Sequence, residues 1–167
     1  MTTAPVTVRP ATRADVPAIL DIYNHAVIHT TASYDLEPVS LESRLAWFDD
    51  KTKTGWPVWV AKENGQVIGW ATYGPFRAKA GYDLTAEHSV YVRDGVRGKG
   101  VGRLLMNVLI DDARKRGLHV LIGGVDADNA GSIAFHNSLG FDEGVRLREV
   151  GRKFNRWLDV QFMQLVL

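Results

Sequence analysis

Apolar and polar positions recur with two different periods along this chain, and the switches between them mark out its elements. Val6 to Pro10 reads as a short first strand. Thr12, with Asp15 following, sets up a loose capping box for a helix whose apolar face carries Val16, Ile19, Leu20, Tyr23, Ala26 and Val27. Ser40 can cap a second helix carrying Leu41, Leu45 and Phe48, ending before Gly55. Pro57 to Glu63 and Val67 to Tyr73 flank Asn64-Gly65, a pair that tolerates the left-handed backbone of a tight hairpin.

After a loop over residues 74–86, Glu87 to Val92 alternates as a strand. A glycine-rich loop follows from Asp94 to Gly102. Val101, Leu104, Leu105, Val108 and Leu109 then set the buried stripe of a third helix, which closes on Arg114, Lys115, Arg116 and Gly117. His119 to Val125 reads as a strand and Ala130 to Leu139 as a fourth helix stopped by Gly140. Two last strands are expected near Val145 to Val150 and Trp157 to Leu165. The order predicts an α/β fold: a mixed sheet, mainly antiparallel towards its ends, with a strand–helix–strand unit in the middle. No repeat or linker divides it, so residues 1–167 read as a single domain.

Composition changes this picture mainly by exclusion. Twenty Lys and Arg against nineteen Asp and Glu leave a formal charge of +1, which argues against a broad nucleic-acid or anionic-membrane surface. There is no cysteine, so disulfides, cysteine-based metal sites and a cysteine nucleophile are all excluded. The N-terminal segment lacks signal-peptide character and no run approaches the roughly 18 apolar residues of a membrane helix, so a cytoplasmic location is expected.

The chemistry concentrates in Arg97-Gly98-Lys99-Gly100-Val101-Gly102, between a strand and a helix. Glycines there let backbone N–H groups converge and the helix N-terminus adds positive potential, which together favour an anion. Arg93, Arg97, Lys99 and Arg103 surround the glycines against Asp94 alone, so a phosphate-bearing ligand reads better than a flexible basic turn. A Rossmann fingerprint fails because Arg103 stands where its last glycine is needed. A P-loop fails because Gly98-Lys99 is followed by Gly100. Arg97, Gly100 and Gly102 fit R-x-x-G-x-G instead. Two helical turns downstream of Asn129, on nearly the same face of the fourth helix, stands His136.

These features resemble the GNAT superfamily of N-acetyltransferases, whose fourth-helix segment ends, like Phe135 to Phe141 here, in Leu-Gly-Phe. Glu87 to Val92, Ser132 to Phe141, Val150-Gly151-Arg152-Lys153-Phe154 and Arg156-Trp157-Leu158-Asp159 resemble one branch, the phosphinothricin and methionine sulfone/sulfoximine acetyltransferases. Ile22 to Val27 and Phe162-Met163-Gln164 extend the likeness over nearly the whole chain. Asn155 departs from it, standing where glycine is expected.

The resemblance implies a mostly antiparallel seven-stranded sheet flanked by about four helices, acetyl-CoA as co-substrate, no metal and a homodimer. It implies that Val90, Tyr91 and Val92 hold the pantetheine arm, and that Gly98, Lys99, Gly100, Val101, Gly102 and Arg103, after Arg97, cradle the pyrophosphate. Asn129 and Ser138 complete the coenzyme A contacts, while Arg77, Ala78, Lys79, Glu87, His88 and Ser89 face an amino-acid acceptor. His136 stands where many members carry the tyrosine that protonates the departing thiolate, a task within reach of a group with a pKa of roughly 6.5.

Residue chemistry supports part of this. Arg77 offers a planar fork for a carboxylate; otherwise it is a solvated loop arginine. Glu87 can take a proton from the acceptor ammonium; otherwise it is an ion-paired strand carboxylate. His136 reads either as that acid or as a packed helix histidine. His88 shares its strand face with Val90 and Val92, so it reads better as a hydrogen-bonded structural histidine. His25 and His29 lie one helical turn apart without HExxH or a third ligand, which argues against zinc, and the resemblance puts them near the acceptor entrance or a subunit contact. The five tryptophans read as core or interface. The expected activity is acetyl-CoA-dependent N-acetylation of a small amino acid analogue by direct transfer. The alternatives are an acyl-CoA-binding sensor and an enzyme acetylating a protein N-terminus or lysine.

Overall fold

The computed structural model describes residues 4–96 and 98–167. Seven strands form one sheet in the order β1-β2-β3-β4-β5-β7-β6. They are β1 Thr7–Pro10, β2 Val58–Glu63, β3 Gln66–Pro75, β4 Thr85–Val92, β5 Val120–Asp126, β6 Asp142–Lys153 and β7 Arg156–Val166. The helices are α1 Val16–His29, α2 Leu41–Thr54, α3 Val101–Lys115 and α4 Ala130–Ser138. Every neighbouring pair is antiparallel except β4 and β5.

Local signals act where the sequence put them. Asp15 accepts from the Thr12 N–H at 2.8 Å, with one 3-10 turn at Arg13–Asp15 before α1 begins. Ser40 accepts from the Ser43 N–H at 3.1 Å, and Gly55 ends α2 with a φ of 78°. Asn64 and Gly65 turn the β2–β3 hairpin at φ 51° and 80°. Phe154 and Asn155 turn β6 into β7 at φ 50° and 57°. Glycine would suit that turn best, but asparagine is among the residues that tolerate the left-handed region, and Asn155 also accepts from Arg152 at 3.0 Å.

The sheet is packed on both faces. Val16, Ile19, Ile22 and Phe48 from α1 and α2 meet Val58, Val60, Val67 and Trp70 on one side. Leu105, Met106, Leu109 and Ile110 of α3 meet Ala61, Ala71, Tyr73, Leu121 and Met163 in the other core. Trp70 is buried, Trp47, Trp56 and Trp59 are partly buried against these cores, and Trp157 is exposed.

One break in the sheet positions the site. The parallel ladder between β4 and β5 runs from Thr85↔Val120 only to Glu87↔Ile122, although both strands continue. Beyond Glu87 they part, and the backbone edges facing the gap carry no ladder partner among the described residues. Such edges are ready-made hydrogen-bonding templates for an extended ligand.

Candidate active site

The gap opens into two adjoining cavities. One lies towards α4 and is lined by His88, Val90, Gly123, Asn129, Ser132 and His136. The other, of about 320 Å³, lies towards the end of α1 and is lined by residues 31–34, Glu87, Val160 and Phe162. Ser89, Tyr91, Gly124 and Asp126 line both, so a reaction between two bound molecules has a shared floor.

Alternation along β4 divides its side chains between the two faces. Glu87 and the hydroxyl of Ser89 share the face of Tyr91, which stacks on Trp70 at a centroid distance of 4.9 Å. Burial pushes the Glu87 carboxyl above the ordinary carboxylate range, and the nearby positive charge of Arg77 partly opposes this. A carboxylate tuned upward is a better proton acceptor near neutrality.

On the opposite face His88 is buried, and its Nε2 lies 3.0 Å from Nε2 of His136. Nδ1 of His136 lies 2.7 Å from the Ser132 carbonyl, so that nitrogen carries the proton and donates. Nε2 of His136 is then the acceptor, taking a hydrogen bond from the Nε2–H of His88. Burial lowers the proton affinity of both rings, and in His88 the charge of the neighbouring ring lowers it further.

β5 accommodates this pair with glycine. A Cβ on Gly123 would come within 2.6 Å of the His88 ring and 3.3 Å of His136 Nε2. At Gly124, on the other face, a Cβ would stand 3.9 Å from Glu87 Oε1. Sequence reading passed over these two residues, although adjacent glycines inside an otherwise apolar strand signal a close approach. It also passed over residues 31–34 and Asp126, which come from distant segments and carry no local motif.

At the glycine-rich loop the backbone bends as expected, with Gly98 at φ 88° and Gly100 at 72° starting α3. The first-turn N–H groups of a helix have no intrahelical acceptor, which suits an anion. The basic side chains are disposed differently from the expected ring of cations. Lys99 turns its amine to Glu63 at 3.0 Å, and Arg93 donates to the Val67 carbonyl at 3.2 Å. Arg103 donates to Ser138 Oγ at 2.6 Å, fastening α3 to the end of α4. Each has a protein acceptor within reach. Arg97 lies outside the described residues. Val101 is core, so only its backbone serves the loop, and a Cβ on Gly102 would sit 3.3 Å from the Phe135 ring.

Asn129 caps α4, accepting from the Ser132 N–H at 3.0 Å, which leaves its side-chain N–H groups for a ligand. Asn129 and His136 line the same cavity, as their spacing implied. Arg77, Ala78 and Lys79 stay on an exposed loop outside the lining of both cavities. Arg77 stacks over Phe76 at 5.2 Å and Phe76 meets Tyr82 edge-on. His25 and His29 pack together at 4.6 Å, and His25 lies 3.8 Å from Asp94 rather than on either cavity. No group of three potential metal ligands occurs among the described residues.

A strand pair that parts beside a glycine-rich helix start is thus joined to a second cavity holding a tuned carboxylate. The sequence profile described as "Acetyltransferase (GNAT) family" matches residues 18–141. The chain belongs to the GNAT acetyltransferase family. This acetyltransferase is 48% identical over 162 residues to the L-methionine sulfoximine/L-methionine sulfone acetyltransferase of Salmonella typhimurium, covering 97% of this chain and 95% of the relative. The crystal structure of a phosphinothricin acetyltransferase from Sinorhizobium meliloti in complex with acetyl-CoA superposes with a TM-score of 0.93 at 35% identity, over 97% of this chain and 88% of that one. A ribosomal-protein-alanine N-acetyltransferase from Brucella melitensis superposes at 0.95 with 50% identity, over 96% and 99%. The seven-stranded, mostly antiparallel sheet with four helices is the GNAT fold, and acetyl-CoA is the co-substrate that the family uses.

Proposed function

We propose that this acetyltransferase N-acetylates the α-amine of a small amino acid analogue of the methionine sulfone, methionine sulfoximine or phosphinothricin type, by direct transfer within a ternary complex. The observation that carries the reading is the pair of cavities meeting across Ser89, Tyr91 and Gly124. Acetyl-CoA supplies the acetyl thioester. The free edges of β4 at Val90, Tyr91 and Val92 suit its pantetheine arm, the loop from Gly98 to Arg103 its pyrophosphate, and Asn129 and Ser138 its flank.

In this reading Glu87, raised by burial, takes a proton from the acceptor ammonium, directly or through water. Arg77 attracts the acceptor carboxylate from the neighbouring loop, with Ala78, Lys79 and Ser89 completing that side. His88 orients His136. His136 returns a proton to the departing sulfur, and the resting pair sets a condition on that role. Its Nδ1–H is committed to Ser132 and its Nε2 to His88, so a proton must first reach Nε2. Burial makes that imidazolium a stronger acid than an exposed one, which favours passing the proton on to the thiolate.

The absence of cysteine supports direct transfer over a cysteine-bound acetyl intermediate. The Brucella relative favours a second reading, acetylation of a protein N-terminus. The second cavity, at about 320 Å³, has room for a single amino acid, which favours the first. A homodimer is proposed with it: Val145, Leu147, Val150, Phe154 and Trp157 expose a run of apolar surface along the β6–β7 hairpin, the kind of surface that self-association covers. A cytoplasmic site of action, close to the acetyl-CoA supply, and a detoxifying role complete the proposal. The test is thiol release from acetyl-CoA on a panel of amino acid analogues and of peptides with free N-termini. Turnover on methionine sulfone or phosphinothricin is expected. Tight acetyl-CoA binding with no turnover on any amine would leave an acyl-CoA sensor, and turnover confined to peptides would leave a protein acetyltransferase.

A further inference from the structure

β6 is exposed along almost its whole length, yet Gly151 and Lys153 are buried. Between Leu147 and Gly151 the strand takes four steps while its partner takes two, from Val160 to Leu158, so β6 bulges there. A bulge re-aims the side chains that follow it. Gly151 and Lys153, one strand period apart, consequently turn inward from an otherwise solvent-facing edge.

Both meet the segment joining α1 to α2. Nζ of Lys153 donates to the Ser33 carbonyl at 2.7 Å, and a Cβ on Gly151 would overlap the Tyr34 ring. The same segment is tied elsewhere: Thr31 Oγ1 donates to the Asp126 carboxylate, Tyr91 donates to the Ala32 carbonyl at 3.3 Å, and the Tyr23 and Ser33 hydroxyls are 2.9 Å apart. Residues 31–34 form one wall of the cavity that also holds Glu87.

A buried lysine is a costly way to pack an edge strand, because an apolar side chain of similar volume fills the space without desolvating a charge. Lys153 is 4% exposed, and besides the Ser33 carbonyl it has the Phe154 ring at 5.2 Å and the more distant charge of Asp35. Its ammonium therefore recognises one backbone carbonyl, and that carbonyl belongs to the cavity wall.

We propose that Lys153 is a positioning residue for the acceptor: with Gly151 seated against Tyr34, it holds Ser33 and Tyr34 where they shape the acceptor side of the cleft and so sets acceptor affinity. The inference rests on the reading of that cavity as the acceptor site. It gives the Val150–Phe154 motif a task in the reaction, although no atom of Lys153 touches the reacting groups.

Lys153→Met keeps the length and apolar stem and removes the donor. Its acceptor KM is expected to rise about 10-fold or more, the loss typical of a hydrogen bond from a charged group, with kcat and the acetyl-CoA KM nearly unchanged. Lys153→Arg, which restores a donor, is expected to recover part of the difference. Hydrogen exchange of residues 30–35 is expected to quicken in Lys153→Met while residues 88–92 and 123–126 stay as protected as before. An unchanged acceptor KM, a parallel rise in both KM values, or unchanged exchange in residues 30–35 would each overturn the proposal. If the unmodified enzyme turns over no amino acid, the acceptor reading fails with Lys153's role in it, and the exchange data show separately whether the brace exists.

Discussion

Nε2 of His88 and Nε2 of His136 face each other at 3.0 Å across the place where Gly123 has no side chain. With the Nδ1 proton of His136 given to Ser132, one ring must donate and the other accept, so the pair is stable with both imidazoles neutral. Protonating either ring puts a charge in a site that disfavours it.

Stability should therefore depend on pH through this pair. Both rings have folded-state proton affinities below the ordinary histidine value of about 6.5, so below that pH the unfolded chain binds protons more readily. Stability is complete above about pH 7 and falls as pH drops through 6.5, by at most about 1.4 kcal/mol per pH unit for each ring. Thermal melts between pH 7.5 and 5.5 check this. The slope should flatten in His88→Gln, and an equal slope in that variant would remove the pair as its source.

Glu87 and His136 should separate in their response to pH. Glu87→Gln keeps shape and loses the base, so its rate should recover as pH rises and more free amine is present. His136→Phe keeps ring bulk and loses the donor, and high pH should bring no recovery. Each loss should fall near 10²–10⁴-fold, with acetyl-CoA affinity close to that of the unmodified enzyme. Profiles of kcat/KM against pH, with calorimetry for binding, read both. Near-normal turnover in His136→Phe would pass the thiolate proton to water or to Tyr91, which lines the same cavities.

The adjacent glycines of β5 should differ in kind. Gly123→Ala drives a methyl group into both histidine rings and should cost about 1–3 kcal/mol, the range for overpacked cores. At Gly124 the nearest atom to an added Cβ is 3.6 Å away, an ordinary contact, so Gly124→Ala should change stability by no more than about 0.5 kcal/mol. Chemical denaturation of the two variants decides it; equal losses would mean that the histidine pair yields freely.

Arg77 offers two readouts. As a carboxylate partner its loss in Arg77→Ala should raise the acceptor KM about 10-fold while acetyl-CoA binding holds. Its charge also opposes the upward shift of Glu87, so the acidic limb of the rate profile should move to higher pH in the variant. A shifted limb with unchanged KM would leave Arg77 as an electrostatic neighbour that does not bind the substrate.

Much of the molecule was legible in one dimension because its signals are local. The cap at Ser40, the Asn64-Gly65 turn and the apolar positions of α3 depend on residues a few positions apart, and four helices and seven strands form in the expected order. Leu104 of the expected α3 stripe is exposed, and the expected loop over 74–86 gives its ends to β3 and β4 and holds a 3-10 turn at Ala80–Tyr82. The bounds of β6 were less legible: its exposed polar residues and bulges hide a strand of twelve behind a stretch of six. Glycine-rich loop, Glu87 and the Asn129–His136 spacing were visible too, since each lies within a single element. What chain order does not contain is which of those elements parts from its neighbour. The divergence of β4 from β5, the meeting of His88 with His136, and the bracing of Ser33 by Lys153 join residues separated by tens of positions. No spacing rule reaches that far. Such contacts are selected by packing two helical layers against one twisted sheet, and that collective choice decided that Arg93, Lys99 and Arg103 bond to protein while Gly123 leaves room for the His88–His136 pair.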